Sequence, residues 1–258
     1  MIFVFSGTGN SYSVAKRISD ATGVKMVDLA AAVRYKRYGY DAAGEDVGFV
    51  FPVYYYGLPR MVAELAENIV VRNPGRVFAV ATCGEESGGA CEMLAEKLSG
   101  RLKLDACYDV VMPDNSIFAF EPPTPEEEKA ILAKADARVE GIIASIKNGE
   151  SGDFCRHKGD KDWREIYPMY EEQRVTEPFR ITDKCIECRL CEEICPEQAI
   201  KVYHRKPVWD EEKCSLCMGC LELCPKDAIE YGDATVGRRR FFNKVYYERS
   251  IGIPLKFN

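Results

Sequence analysis

The sequence has few histidines, no excess of positive charge and no long apolar runs. Its only histidines, His157 and His204, stand in no recognisable nucleophile–base or metal-binding arrangement, so no catalytic triad is supported. Lys and Arg number 35 against 41 Asp and Glu, a formal net charge of -6, which gives little attraction to the phosphate backbone of nucleic acids. No apolar run approaches the roughly 18 residues that a membrane helix requires. We therefore expect neither a nucleic-acid partner nor a membrane span.

The sequence also lacks the marks of a secreted chain that is held together by disulfides. It opens Met-Ile-Phe-Val-Phe-Ser, with neither a charged n-region nor a small-residue cleavage site, which predicts a reducing, cytoplasmic location. Hydrophobic residues at 47% and charged residues at 29% are typical of a globular chain. Cysteine, in contrast, is abundant, with 12 in 258 residues, and most of these lie between Cys185 and Cys224. Their placement decides between disulfides and metal, and it favours metal.

Residues 1–149 alternate between strand-like and helical patterns, which is typical of an α/β domain with a parallel sheet. The last helix of this region has a clear start, because Thr124 is a candidate N-cap, Pro125 takes the first helical position and Glu127 completes a capping box. The apolar runs predict a sheet of five strands, the second of them weak, at residues 2–5, 24–27, 47–51, 77–82 and 106–112.

The remainder of the chain divides into three stretches. Residues 150–177 are polar and without a sustained period, and we interpret them as a connector. Residues 178–232 contain an internal repeat with an offset of about 29 residues, opened by Asp183-Lys184-Cys185 and by Glu212-Lys213-Cys214. Residues 233–258 form a basic, aromatic tail, which predicts packing between the domains; the alternative is a surface that stacks on single-stranded nucleic acid.

Each repeat carries the run Cys-x-x-Cys-x-x-Cys-x-x-x-Cys-Pro, which is typical of bacterial ferredoxins with two [4Fe-4S] clusters. In that pattern the fourth cysteine of each run binds the cluster of the other run. Structural zinc is the alternative, although zinc usually takes two Cys-x-x-Cys pairs and has no use for a third cysteine at the same step. The predicted ligands are Cys185, Cys188, Cys191 and Cys224 for cluster one, and Cys214, Cys217, Cys220 and Cys195 for cluster two.

The loop after the first strand, Ser6-Gly7-Thr8-Gly9-Asn10-Ser11, leads directly into a predicted helix. A tight turn at a helix N-terminus can cradle an anion, because backbone N–H groups and the helix dipole converge there. The loop is not a Walker motif, since no Gly-Lys-Ser/Thr follows, and a single phosphate monoester fits it best. The alternative is an ordinary turn in which Ser11 caps the helix.

Two further loops follow predicted strands and belong at the same edge of the sheet. The segment Pro52-Val53-Tyr54-Tyr55-Tyr56-Gly57 offers aromatic faces for stacking on a planar ring. The segment Thr82-Cys83-Gly84-Glu85-Glu86-Ser87-Gly88-Gly89 is rich in glycine, which lets backbone amides approach a ligand. Taken singly, a tyrosine cluster is more typical of core or surface, but three such loops in strand order indicate a binding site.

On these motifs the first region resembles flavodoxin, since residues 6–11 match the phosphate motif Ser/Thr-x-Thr-Gly-Asn-Thr/Ser of that family. The whole chain resembles the EFR-type ferredoxins, which join an N-terminal flavodoxin-like domain to a C-terminal two-cluster ferredoxin. This resemblance implies a doubly wound, five-stranded sheet, a small α+β ferredoxin domain and bound FMN. One departure is that residues 82–89 contain no aromatic side chain, which leaves one flavin face open or covered by another segment. The implied FMN residues are Ser6, Thr8, Gly9, Asn10 and Ser11 at the phosphate, and Pro52, Val53, Tyr54, Tyr55, Gly57, Thr82, Cys83, Gly84, Gly88, Gly89 and Asn115 around the ring.

Clusters that pass one electron, joined to a flavin that accepts one or two, predict an electron carrier between one-electron and two-electron redox proteins. The alternative is an FMN-dependent reductase of a small molecule, fed by its own ferredoxin domain. A redox sensor is a third class, although no DNA-binding or signalling module is visible. The four cysteines outside the repeats, Cys83, Cys91, Cys107 and Cys155, are expected to have packing or surface roles.

Overall fold

The computed structural model describes residues 1–243. No helix within those residues is long and apolar enough to cross a membrane. The strands are, in chain order, β1 (Ile2–Val4), β2 (Met26–Asp28), β3 (Gly39–Asp41), β4 (Val47–Pro52), β5 (Val70–Arg72), β6 (Val77–Cys83), β7 (Ala106–Val111), β8 (Gly152–Asp153), β9 (Phe179–Ile181), β10 (Ile200–Tyr203), β11 (Lys206–Trp209) and β12 (Ile229–Tyr231). The helices are α1 (Asn10–Thr22), α2 (Leu29–Arg34), α3 (Arg60–Asn68), α4 (Ala90–Leu98), α5 (Pro125–Lys147), α6 (Trp163–Ile166), α7 (Pro168–Gln173), α8 (Leu190–Glu193) and α9 (Gly219–Glu222).

The central sheet has six strands in the order β2-β1-β4-β6-β7-β8, and every neighbouring pair is parallel. The prediction of five strands was therefore one short. The additional strand is β8, which pairs Gly152 and Asp153 with Ala106 and Cys107. Two residues, neither of them apolar in side chain, give no periodicity from which a strand could be recognised. Without β8, the strand order β2-β1-β4-β6-β7 is compatible with a flavodoxin-like, doubly wound domain.

Helices cover both faces of the sheet because the side chains of each buried strand alternate between two apolar layers. On β1, Phe3 joins the layer that contains residues of α3 and α4, whereas Ile2 and Val4 join the layer formed with α1 and α5. The predicted capping box of α5 is confirmed, with the Thr124 hydroxyl accepting from the Glu127 N–H and the Glu127 carboxylate accepting from the Thr124 N–H.

Two stretches of the chain contain strands or helices that the sequence did not predict. Strands β3 and β5 form a separate parallel pair at the side of the central sheet. The stretch 150–177, expected to be a connector, contains β8 and the two short helices α6 and α7. The side chains of Trp163, Tyr167 and Tyr170 from these helices contact one another and pack against buried residues.

The C-terminal part repeats its backbone as well as its sequence. Strand β9 pairs with β12 and β10 with β11, both antiparallel, and the short helices α8 and α9 each contain the third cysteine of their run, Cys191 and Cys220. Non-glycine residues with positive φ recur at the repeat spacing, and each such residue costs about 1 kcal/mol relative to a normal backbone conformation. They are Glu187, Arg189 and Gln198 in the first run, and Leu216, Met218 and Asp227 in the second.

Candidate functional site

Thiols of the two runs are grouped across the repeats rather than within them. Burial, together with the neighbouring thiols Cys188, Cys224 and Cys185, raises the pKa of Cys191 to about 12. All four of these cysteines line one small cavity. The first three cysteines of run one therefore lie beside the last cysteine of run two.

The second group has the reciprocal composition. Burial and the nearby Cys195 raise the pKa of the Cys214 thiol to about 12. Burial, Cys195 and Cys214 likewise raise the pKa of Cys217. Burial and the thiols of Cys217, Cys195, Cys214 and Cys191 raise the pKa of Cys220. Cys195 of run one thus lies with Cys214, Cys217 and Cys220 of run two.

Backbone N–H groups donate to the sulfur atoms in a pattern that also follows the repeat. The N–H of Ala199 donates to Cys195 Sγ and that of Ala228 to Cys224 Sγ, each at 3.3 Å. The N–H of Leu216 donates to Cys214 Sγ at 3.3 Å. Such bonds stabilise thiolate charge, which is the state in which cysteine binds iron.

The two runs have left-handed backbone residues at matching positions around their cysteines. In the described part of the chain, no three His, Cys, Asp or Glu side chains converge as a mononuclear metal site requires. A cubane cluster instead takes one thiolate on each of its irons, so its four ligands stand further apart. The left-handed residues Glu187 and Leu216, one in each run, follow the same wrapping path, and bonds to a cluster would offset the cost of these conformations.

The two thiol groups differ in exposure. Cys188 is exposed and Cys185 is half-buried, so the first group reaches the protein surface. In the second group Cys195 and Cys214 are buried and Cys217 and Cys220 are half-buried, so this group is less exposed than the first.

A cavity of about 910 Å³ opens at the carboxyl ends of β4, β6 and β7, where ligands of open α/β sheets bind. This volume lies within the range of small-molecule and cofactor sites. Rings from three separate segments line it, namely Tyr54, Tyr55, Tyr56, Phe118, Phe120 and Tyr170. Its walls therefore offer aromatic faces to a planar ligand.

One wall of the same cavity belongs to the second cysteine run. Leu216, Cys217 and Met218 line it together with the aromatic residues of the α/β region. Anything bound in the cavity would therefore contact the segment that contains Cys217 of the second thiol group.

The contact between the two regions is close at several points. A Cβ atom at Gly7 would overlap the carbonyl oxygen of Cys217, and one at Gly219 would lie 2.8 Å from the carbonyl oxygen of Gly7, so glycine is required on both sides. Arg60 at the start of α3 forms a forked ion pair with Glu197, with Nε donating to Oε1 at 2.9 Å.

Tyr170 adds a buried link between the same two regions. It is fully buried and its hydroxyl donates to the carbonyl oxygen of Ser215 at 2.8 Å. Burial raises the pKa of Tyr170 well above its usual value, so it stays a donor across the neutral range.

The residues predicted to surround a flavin ring are only partly brought together at this cavity. The predicted residues that line it are Val53, Tyr54, Tyr55, Cys83, Gly84 and Asn115. Those that belong to the same loops without lining it are Pro52, Gly57, Thr82, Gly88 and Gly89. Gly57 and Gly89 lie instead beneath Tyr167 and Trp163, where a Cβ would overlap the rings.

The predicted phosphate loop lies beside the cavity rather than in its wall. Thr8 and Ser11 are buried, and Ser11 Oγ is 2.8 Å from Thr82 Oγ1. The Asn115 amide donates to the Thr8 hydroxyl and so connects the loop to the cavity wall. Asn10 Nδ2 donates to the carbonyl oxygen of Pro113 at 3.0 Å, whereas its Oδ1 is buried without a partner and can accept from a ligand hydroxyl.

Several cavity residues could not be identified from the sequence. Phe118 and Phe120 stand in a loop with no repeat or glycine pattern, and Met169 and Tyr170 come from the stretch expected to be a connector. The cluster of Trp163, Ile166, Tyr167 and Tyr170 was the one available signal, because apolar rings in a polar stretch indicate packing. Residues 82–89 contain no aromatic side chain to cover one face of a flavin. Aromatic residues from other segments form part of the cavity wall.

Residues 238–243 contact both regions of the chain. Arg238 donates to the carbonyl oxygens of Ile117 and Phe120, and Arg239 pairs with Glu128 on α5. On the other side, Arg240 forms an ion pair with Glu230 at 2.7 Å, and both side chains are only 7% exposed.

The next two contacts of this segment reach a helix of the second run and the phosphate loop. The N–H of Phe241 donates to Glu222 at 2.8 Å, and the N–H of Asn243 donates to the carbonyl oxygen of Thr8 at 2.8 Å. The rest of the predicted packing tail, residues 244–258, lies outside the described residues.

Comparison with known proteins identifies one part of the chain. Residues 184–228 match the 4Fe-4S dicluster domain, which supports the predicted binding of 4Fe-4S clusters and a role in iron–sulfur electron transfer. No curated protein matches the chain. The ferredoxin part of the sequence interpretation is thus supported, and the match favours iron–sulfur clusters over the zinc alternative.

Proposed function

We propose that this chain is an electron-transfer protein that holds two [4Fe-4S] clusters and FMN and links one-electron and two-electron redox partners. One observation carries the proposal: the cavity at the carboxyl edge of the sheet is bounded both by the tyrosine loop and by Leu216–Met218 of the second cysteine run. A flavin bound there exchanges one or two electrons and would do so beside a cluster.

Cluster one is assigned to Cys185, Cys188, Cys191 and Cys224, and cluster two to Cys214, Cys217, Cys220 and Cys195. The cross-repeat grouping of thiols supports this assignment, as do the N–H donors at Cys195 and Cys224. Exposure at Cys188 would give cluster one an edge toward redox protein partners, and the position of Cys217 in the cavity wall supports a cluster two beside the cavity. The electron path would therefore run between the surface at Cys188 and the cavity, through both clusters.

The cavity fits the ring of FMN in size and in its aromatic lining, and the order of the sheet is compatible with the flavodoxin resemblance. The buried, unpartnered Oδ1 of Asn10 would accept a hydroxyl of the ribityl chain, and the N-terminus of α1 would face the phosphate. Tyr54 and Tyr55 would pack on the ring, while Asn115 would position the phosphate loop against the cavity wall.

These assignments divide the chain into four proposed parts. Residues 1–149 would form the FMN-binding domain, with 150–177 as a connector that contributes Tyr170 to the cavity and 178–232 as the two-cluster domain. Residues 233–258 are the proposed tail, and its described part, residues 233–243, would hold the domains together, as the contacts of Arg238 and Arg240 support.

The alternative proposal is an FMN-dependent reductase of a small molecule. The cavity supports it in one respect, since Lys134 and Lys161 line it, among the carboxylates of Glu85, Glu86, Asp114, Glu121 and Glu127, and could hold an anionic group of a substrate beside the ring. Turnover of a small anionic acceptor without any added redox protein would support the reductase, and electron exchange with proteins alone would support the carrier.

The first test is the cofactor content of anaerobically purified protein. We expect about eight iron and about eight sulfide atoms per chain, together with one non-covalent FMN, since two cubane clusters and one flavin site are proposed. Metal analysis, sulfide assay and flavin extraction would measure them. Stoichiometric zinc in place of iron, or full iron with no flavin, would overturn the cluster or the flavin part respectively.

A substitution in the cavity wall tests the location of the flavin. Ala130 lies on α5, is exposed and lines the cavity, so Ala130→Trp should fill part of it and weaken FMN binding about tenfold, equal to about 1.4 kcal/mol. Ala137→Trp is the matched control, because Ala137 is exposed on the same helix and does not line the cavity. Iron content should be unchanged in both variants.

A further inference from the structure

Three of the four cysteines outside the two runs converge on one face of the central sheet, although the sequence predicted a separate packing or surface role for each of them. Cys91 lies in the first turn of α4, Cys107 on β7 and Cys155 just after β8, and all three belong to the same apolar layer. The sulfur atoms of Cys155 and Cys91 are 3.8 Å apart, although 64 residues separate them in sequence.

The two sulfurs differ in how readily an external reagent can reach them. Cys91 is 7% exposed, and hydrogen bonds with Cys107 and Cys155, followed by burial, raise the pKa of Cys91 well above its usual value. Cys155 is half-buried and lies on irregular backbone. The ammonium group of Lys158, whose pKa is raised chiefly by Asp153 and further by Cys155, lies near that thiol.

We propose that Cys91 and Cys155 are a redox-active dithiol, which closes to a disulfide by exchange with a low-molecular-weight disulfide. The thiolate of Cys155 attacks one sulfur of the reagent, whose S–S bond breaks and releases one thiol after protonation. The sulfur of Cys91 then loses its proton and attacks the Cys155 sulfur, which releases the second thiol. In total, two protein thiols are oxidised and one external disulfide is reduced to two thiols.

The geometry allows this closure with little rearrangement. A disulfide bond is about 2 Å long, so the two sulfur atoms need to approach by less than about 2 Å. The segment after β8 is already held against the same region, since the N–H of Ser87 donates to the carbonyl oxygen of His157 at 2.7 Å. The new bond would join the backbone just after β8 to the first turn of α4.

Cys107 is the competing partner for Cys91. It hydrogen-bonds with Cys91, but its backbone is paired on both sides, with Ala79 on β6 and with Asp153 on β8. Cys155 lies beyond the end of the ladder, where its N–H donates to Asp153 Oδ1 rather than to a neighbouring strand. The Cys91–Cys155 bond is therefore the one expected.

The test treats the iron-loaded protein under anaerobic conditions with stoichiometric dithiodipyridine, a chromophoric disulfide, while the visible absorbance of the clusters is followed. We expect release of about two pyridinethiones per chain with cluster absorbance retained, and peptide mapping should find Cys91 joined to Cys155. Cys91→Ala should release about one pyridinethione and leave a stable adduct on Cys155. Cys107→Ala should behave as the unmodified chain.

Cys155→Ser provides a second variant at a half-exposed position, where the substitution leaves the apolar layer intact. It should abolish the cross-linked peptide and the fast release together. A lasting adduct on Cys155 in the unmodified chain, a Cys91–Cys107 bond or no reaction at either thiol would each overturn the proposal. None of these results depends on whether FMN binds.

Discussion

Cys195→Ala is expected to remove the cluster held by Cys214, Cys217 and Cys220, although Cys195 belongs to the other run. Cys195 lies among those three thiols and receives the N–H of Ala199 on its sulfur. Loss of one thiolate leaves a cubane iron without its protein ligand, so iron should fall from about eight to about four per chain. Anaerobic iron analysis with electron paramagnetic resonance of the reduced protein would measure the loss.

The reciprocal variant is the matched control, because Cys224 occupies the same place in the second run. Cys224→Ala should remove the cluster held by Cys185, Cys188 and Cys191. The cluster held by Cys214, Cys217 and Cys220 should stay intact. The two variants should therefore show different residual spectra. If each substitution disturbed only the cluster of its own run, the cross-repeat assignment would be wrong.

Truncation after Gly237 is expected to lower the free energy of unfolding by about 3 kcal/mol or more. The truncation removes Arg240, the ion-pair partner of the buried Glu230, which then keeps only the Thr235 hydroxyl as a donor; breaking a buried ion pair from one side costs about 3–5 kcal/mol. It also removes the N–H that Phe241 donates to the buried Glu222. Chemical denaturation of the loaded protein under anaerobic conditions would measure the change.

A chain that ends after Asn243 keeps every contact described for residues 238–243 and is the matched control. Arg240→Met separates the buried ion pair from the other contacts, because it retains the Phe241 and Asn243 bonds. Equal stability of the two truncated chains would show that residues 238–243 do not hold the two regions together.

Predictions from the sequence were most accurate for features that depend on residues close together in the chain. The capping box of Thr124 and Glu127 and the repeated cysteine runs are visible as short patterns, and the structure reproduces both. The loops after β4 and β6 could be placed at one edge because parallel strands end on the same side. Strand β8 could not be predicted, since a Gly-Asp pair becomes a strand only through its neighbour β7.

Which residues line the cavity depends on contacts between residues that are far apart in the sequence. Tyr170 reaches the cavity because its hydroxyl bonds to Ser215, and Met218 because Gly7 and Gly219 allow two backbones to meet. The Cys91–Cys155 contact likewise needs the pairing of β7 with β8 to bring its two segments together. Such contacts leave no periodic pattern in a single sequence. A glycine where two backbones meet closely can be explained only once the structure is known.

The central claim is that electrons pass within one molecule, between the clusters and a flavin in the cavity beside Cys217. Anaerobic stopped-flow mixing with a limiting one-electron reductant would follow cluster bleaching and flavin bleaching at separate wavelengths. Flavin bleaching should follow cluster reduction at a rate that stays constant over about a tenfold range of protein concentration, because both partners belong to one chain. A rate that rises in proportion to protein concentration would show transfer between molecules and contradict the proposed path.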